Sequence, residues 1–113
     1  SVTLSGVDGA EQIKAIMAKF RDNGPKEWNQ TAITVVEDFK AQTATAADGT
    51  VTNLTTPPSD VLKYTLADGS WIAVRPSGTE PKIKFYIAVV GDSNEDSQAK
   101  IAAIEAEINA FIK

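Results

Sequence analysis

Residues 71–90 read WIAVRPSGTEPKIKFYIAVV, two apolar runs parted by RPSGTEPK at 75–82. The runs at 71–74 and 83–90 are rich in β-branched and aromatic side chains, which suit a pleated, half-buried surface, so each predicts a strand. A connection this short joins them as antiparallel neighbours, because a parallel crossover needs a dozen residues or more. The second run is apolar almost throughout and is expected to lie centrally in its sheet. Its connection holds two prolines, a glycine and flanking cations, more chemistry than the two or three residues of a hairpin turn require.

Working outward, LKYTL at 62–66 predicts the preceding strand, joined to the first run through Asp68-Gly69. If those two residues form a type I′ turn, Ala67 faces Ser70, and Leu62, Tyr64 and Leu66 share a face with Trp71, Ala73 and Arg75. TAITVVEDFK at 31–40 predicts a further strand, whereas 43–60, with Asp48-Gly49, Pro57-Pro58 and Ser59-Asp60, is expected as a surface loop. At the ends, Asp8 and Glu11 are spaced as a capping box before Ile13, Ile16, Met17 and Phe20, a helical stripe closed near Asn23-Gly24-Pro25. Ser93 and Asp96 are spaced as a second cap before Ile101, Ile104, Ile108 and Phe111. Helix, strands, helix implies an α+β fold: a two-layer antiparallel sheet with the helices packed on one face.

The chain has 113 residues, 42% of them apolar and 23% charged, as expected for one globular domain spanning 1–113. There is no Cys, which excludes disulfides and thiolate zinc sites and suits a reducing, cytoplasmic setting. There is no His, which removes the commonest general base and metal ligand. No apolar run reaches the ~18 residues of a membrane span, so no membrane partner is expected. With 11 basic and 15 acidic side chains the formal charge is −4, which argues against nucleic acid and restricts any anion site to a local cluster. Ser1 in place of an initiator Met is read as the start of a piece of a longer chain.

Within 75–84, Pro76 and Pro81 stiffen the loop's entry and exit, and Gly78 lets a ligand approach the backbone. The N–H groups and hydroxyls of Ser77 and Thr79, with the Gly78 N–H, can converge on an anion. Arg75 brings a planar fork that matches two phosphate oxygens, and Lys82 and Lys84 bring point charges from the far side. Taken alone, these residues leave two readings level: a polar connection with solvated lysines, or a dianion cradle. Trp71 and Tyr64 are read as packing residues rather than sugar platforms, and Asp92, Glu95 and Asp96 as helix-start acids rather than metal ligands. Glu80 and Trp28 receive no role.

The string Arg75-Pro76-Ser77-Gly78-Thr79-Glu80-Pro81-Lys82-Ile83-Lys84, with the strands on either side and the helix EQIKAIMAKFR, resembles the phosphate-binding loop region of the C-terminal domain of the α-D-phosphohexomutases, the phosphoglucomutases and phosphomannomutases. The resemblance covers most of the chain. It implies a TATA-box-binding-protein-like fold, residues 1–7 as the linker from a preceding domain, and three further domains as partners. It also implies a parent enzyme, an isomerase, that interconverts hexose 1-phosphate and hexose 6-phosphate through a phosphoserine and a hexose bisphosphate. Arg75, Ser77, Gly78 and Thr79 then fall on the phosphate ligands, and Lys84 falls where many members carry Arg. This domain would hold the phosphate not being transferred and close the cleft. It has no serine loop, magnesium loop or sugar-reading loop, so it is expected to be inactive alone, with no catalytic residue and no cofactor, Mg2+ belonging to the parent. A free-standing phospholigand-binding or regulatory module is the alternative.

Overall fold

The computed structural model describes residues 2–3, 9–22, 24–76 and 82–112. Among them the chain forms eight strands and two helices, an α+β arrangement with both helices contributing to one buried cluster. Helix α1 (Gly9–Asp22) buries Ile13, Ile16, Met17 and Phe20, the i, i+3, i+4, i+7 stripe its sequence predicts. Glu11 in its first turn and Lys19 and Arg21 in its last complement the helix dipole. The expected cap, Asp8, lies outside the described residues. Helix α2 (Asn94–Ile112) buries Ile104 and Ile108. The Asp96 N–H donates to Ser93 Oγ at 3.1 Å, as the cap spacing predicts.

The strands are β1 (Val2–Thr3), β2 (Glu27–Trp28), β3 (Thr31–Asp38), β4 (Thr43–Ala46), β5 (Val51–Asn53), β6 (Leu62–Leu66), β7 (Trp71–Pro76) and β8 (Lys82–Ala88). The sheet order is β1-β8-β7-β6-β3-β4-β5, and β2 pairs separately with β3. All the pairings are antiparallel. Three sequence expectations are corrected here. Strand β8 is not central: β1 flanks its outer side at only two positions, Ile83 and Lys82, and β6 takes the middle. The 43–60 segment is not all loop, since β4 and β5 extend the sheet edge. They escape an apolar pattern because β4 is built of Thr and Ala, and every residue of β5 is exposed.

The register of the β6–β7 hairpin also differs from the expected one. Leu66 pairs with Ser70 across a three-residue loop, Ala67-Asp68-Gly69, with the Leu66 N–H donating to Ser70 O at 2.8 Å and Gly69 at φ 93°. The two-residue turn with both central φ positive, which type I′ requires, instead joins β2 to β3 at Asn29 (50°) and Gln30 (62°). One residue of slip exchanges the faces of a strand. Leu62 therefore pairs with Val74 and Tyr64 with Ile72, all buried under the helices, while Trp71, Ala73 and Arg75 lie on the opposite face, where Ala73 is covered, Trp71 half-buried and Arg75 exposed.

The same loop occurs twice. Ala47-Asp48-Gly49 joins β4 to β5 with Gly49 at φ 92°, and the Asp48 and Asp68 carboxylates each accept the N–H two residues on, at 2.9 Å. These bonds draw both carboxyls below their ordinary pKa. A Cβ at Gly49 would meet nothing within 4 Å, and at Gly69 only Val90 Cγ2 at 3.5 Å. Gly49→Ala and Gly69→Ala should therefore cost similar amounts, about 1–2 kcal/mol each, through left-handed backbone strain rather than collision. Urea unfolding of the two variants checks the equality, and a much larger loss at Gly69 would point to crowding against Val90 instead.

Candidate functional site

The β7–β8 ladder runs without a break to its last rungs, Arg75 opposite Lys84 and Pro76 opposite Ile83. Pro76 lies beyond the final β6–β7 pair, Leu62 with Val74, so its missing N–H breaks no ladder bond on that side. Directly opposed residues have Cα atoms about 5 Å apart, which brings the guanidinium stem and the ammonium stem together. Val74 and Ile83 are fully buried beneath the helices, and alternation turns Arg75 and Lys84 to the other face, where both are exposed. Like charges set directly opposite each other cost stability, and a dianion between them would reverse the sign of that interaction.

Of the expected phosphate ligands, the structure thus brings Arg75 and Lys84 together at the mouth of the connection. Ser77, Gly78 and Thr79 lie outside the described residues. Lys82 opens β8 opposite Thr3 of β1. The ion pairs among the described residues lie elsewhere, on Arg21 and Lys100.

Arg21 shows the opposite fate for the same residue type. It lies on the helix side, in a cavity of about 510 Å3 at the end of α1, lined also by Asp38, Thr43, Thr45 and Tyr64. Its Nε donates to Asp38 Oδ2 at 3.0 Å and its Nη2 to Asp60 Oδ1 at 2.7 Å, so its charge is already spent on two carboxylates. Asp38 also accepts the N–H groups of Lys40 and Ala41, at 3.0 and 3.2 Å. Burial alone would raise the Asp38 pKa, but the Arg21 hydrogen bond, the Ala41 N–H and the Arg21 charge outweigh it and hold the carboxyl below its ordinary value. Arg21 is raised: burial pulls it down, and the bonds to Asp60 and Asp38 overcome that.

Tyr64 is 1% exposed and donates its hydroxyl to Phe20 O at 3.1 Å, which makes it a core residue as the sequence predicts. Burial pushes its phenol well above the ordinary value. Trp28, left without a role by the sequence, is buried against Phe20, Tyr64 and Phe111 with ring centroids 6.2–6.5 Å apart. Asp96 accepts the Asp92 N–H and pairs with Lys100 at 3.6 Å, which is capping work. Among the described residues no group of three or more carboxylates gathers as a metal set.

The open face carries two aromatics. Trp71 lies under Lys63 Nζ, 4.8 Å from the ring centroid, and is half-buried there. Tyr86 faces Ala73 and is 43% exposed. Sequence reasoning gave Tyr86 no part, although the alternation of Lys84, Phe85 and Tyr86 held the signal: Phe85 packs inward, so its neighbours turn outward.

The family described as "Phosphoglucomutase/phosphomannomutase, C-terminal domain" matches residues 7–110. A phosphoglucomutase of Staphylococcus aureus strain bovine RF122 / ET3-1 is 39% identical over 105 residues, covering 92% of this chain and 19% of that protein. The phosphoglucomutases of strains USA300 and N315 are 39% and 36% identical over the same length. The chain thus spans about a fifth of the length of these curated relatives. No solved structure matches.

Asp38 links the fold to pH. Because its folded pKa is depressed, its stabilisation is complete above about pH 4, the unfolded carboxylate value, and is lost as pH falls through the lower folded value. Asp38→Asn should lower stability at pH 7 by roughly 1.5–3 kcal/mol, the range for a hydrogen bond to a charged group, and should flatten the decline below pH 4. Thermal unfolding of both proteins from pH 2.5 to 7 measures it. Parallel curves would locate the acid sensitivity at other carboxylates.

Proposed function

We propose, for a chain that belongs to the phosphoglucomutase/phosphomannomutase family as a C-terminal domain, that it holds the phosphate group that is not being transferred while the parent enzyme isomerises a hexose phosphate. The observation that carries the reading is the Arg75–Lys84 rung: two cations in register, on an exposed face, at the mouth of the connection that bears Ser77, Gly78 and Thr79. Arg75 supplies a two-pronged contact, Lys84 a point charge, and the 77–79 backbone and hydroxyls the remaining donors. The place of Arg75 and Lys84 near the end of the ladder supports a phosphate held in one orientation relative to the sheet, which a transfer reaction needs.

On this reading the residues 1–113 are one domain of a cytoplasmic enzyme, and 1–7 lead in from the domain before it. The layering of a sheet under two helices supports the TATA-box-binding-protein-like arrangement. The domain closes over substrate, excludes water and contributes binding energy, while the phosphoserine, the bisphosphate turnover and the Mg2+ belong to the other three domains. The described residues of this chain offer no carboxylate cluster that fits the metal. A phosphomannomutase parent would use the same contact, since a phosphate group is common to both sugars.

Two measurements test the proposal. The 113-residue chain alone should turn over no glucose 1-phosphate in a coupled assay, because it lacks a phosphoryl-accepting serine loop. In the parent enzyme, Arg75→Lys should lower kcat/KM at least about tenfold, or 1.4 kcal/mol of transition-state stabilisation, by removing the fork while keeping the charge. Lys84→Arg should cost little or improve it. Equal losses from the two exchanges would reduce the loop to a diffuse positive potential and sink the bidentate contact.

A further inference from the structure

Most aromatic side chains of the described residues are accounted for by packing: Phe20, Trp28 and Tyr64 in the core, Phe85 and Phe111 against it, and Trp71 under Lys63. Tyr86 stands apart as the exposed aromatic, on the face that carries Arg75 and Lys84. It lies two residues along β8 from Lys84, about 7 Å at the usual strand rise, on the same side of the sheet. Long side chains on that offset can reach both an ester phosphate and the pyranose ring it substitutes. The residue opposite Tyr86 is Ala73, itself covered at 8% exposure, with Trp71 and Arg75 on the diagonals, and the phenol ring stands above this layer at 43% exposure.

An exposed aromatic beside a cation pair fits a ligand with one anionic end and one flat, weakly apolar face. We propose that Tyr86 is a positioning residue for the sugar: the C–H face of a hexose lies against its exposed ring, while the phosphate of the same molecule is held by Arg75 and Lys84. The inference rests on the phosphate reading above and extends it from an anion to a phosphosugar. Charge complementarity sets the orientation, since the phosphate goes to the cations and a ring lying along β8 then meets Tyr86. The amphipathic phenol serves either way round, its ring against C–H groups and its hydroxyl toward water or a sugar hydroxyl.

The test compares three probes on the 113-residue chain, with folding checked by circular dichroism: inorganic phosphate, glucose 1-phosphate and glucose 6-phosphate, titrated by amide shifts. At least one sugar phosphate should bind about fivefold or more tightly than inorganic phosphate, a modest gain for a half-solvated ring. Tyr86→Ala should bring that ratio to about one with the inorganic phosphate constant unchanged within about twofold, and Tyr86→Phe should keep most of the preference. A merely structural role would instead weaken all three probes together. Arg75→Ala, run alongside, should weaken all three. If the probes bind through Arg75 and Tyr86→Ala leaves the ratio as it was, the sugar contact is wrong and the phosphate site stands. If none of the three binds, or Arg75→Ala changes nothing, the phosphate reading fails and the sugar contact falls with it.

Discussion

The register of the β6–β7 hairpin decides which side chains meet the helices and which meet solvent. With the three-residue loop Ala67-Asp68-Gly69, Ile72 and Val74 join Leu62, Tyr64 and Leu66 in the buried layer, and Arg75 turns outward to Lys84. A loop shorter by one residue would put Arg75 among those aliphatic groups, and burying an unpaired guanidinium costs several kcal/mol or more. The Asp68 carboxylate on the Ser70 N–H, and a glycine that tolerates φ 93°, are therefore the local features on which the placement of the cations rests.

The far end of the same two strands is fastened differently. Ser70 is 2% exposed, and its Oγ accepts the Val90 N–H at 2.9 Å, tying the hairpin to the chain leaving β8. Lys100 of α2 donates to the Val90 carbonyl at 2.7 Å. Helix, hairpin and strand are thus pinned together at the end remote from Arg75. At the other end, β1 flanks β8 at Ile83 and Lys82, beside the Arg75–Lys84 rung, and Val74 and Ile83 are fully buried.

The two faces of the sheet divide the labour. On the helix side the aromatic group of Phe20, Trp28, Tyr64 and Phe111 packs with ring centroids 4.6–6.5 Å apart, and Arg21 is consumed by Asp38 and Asp60. On the open side Lys63 sits over Trp71, while Arg75, Lys84 and Tyr86 face solvent. Arg21 and Arg75 have the same chemistry, and only the face each occupies separates a structural ion pair from a candidate ligand contact.

By itself the sequence determined both helices, four of the longer strands and the antiparallel joining of 71–74 to 83–90, because 3.6-residue stripes, β-branched runs and short connections are local signals. It also held the resemblance carried by 75–84, and a second copy of the Ala-Asp-Gly turn at 47–49 that marks the β4–β5 hairpin. What tertiary structure alone decided was pairing. Strands β4 and β5 form with little apolar content because β3 offers them a hydrogen-bonding edge, and β8 is displaced from the centre because β6 returns beside β3. Whether Asp68-Gly69 closes a loop of two residues or three depends on the hydrogen bond from Leu66 N–H to Ser70 O, which composition does not record. Backbone donors and acceptors are alike at every residue, so register is chosen by the summed burial of whole strands against the helices, a non-local quantity that no short stretch of sequence contains.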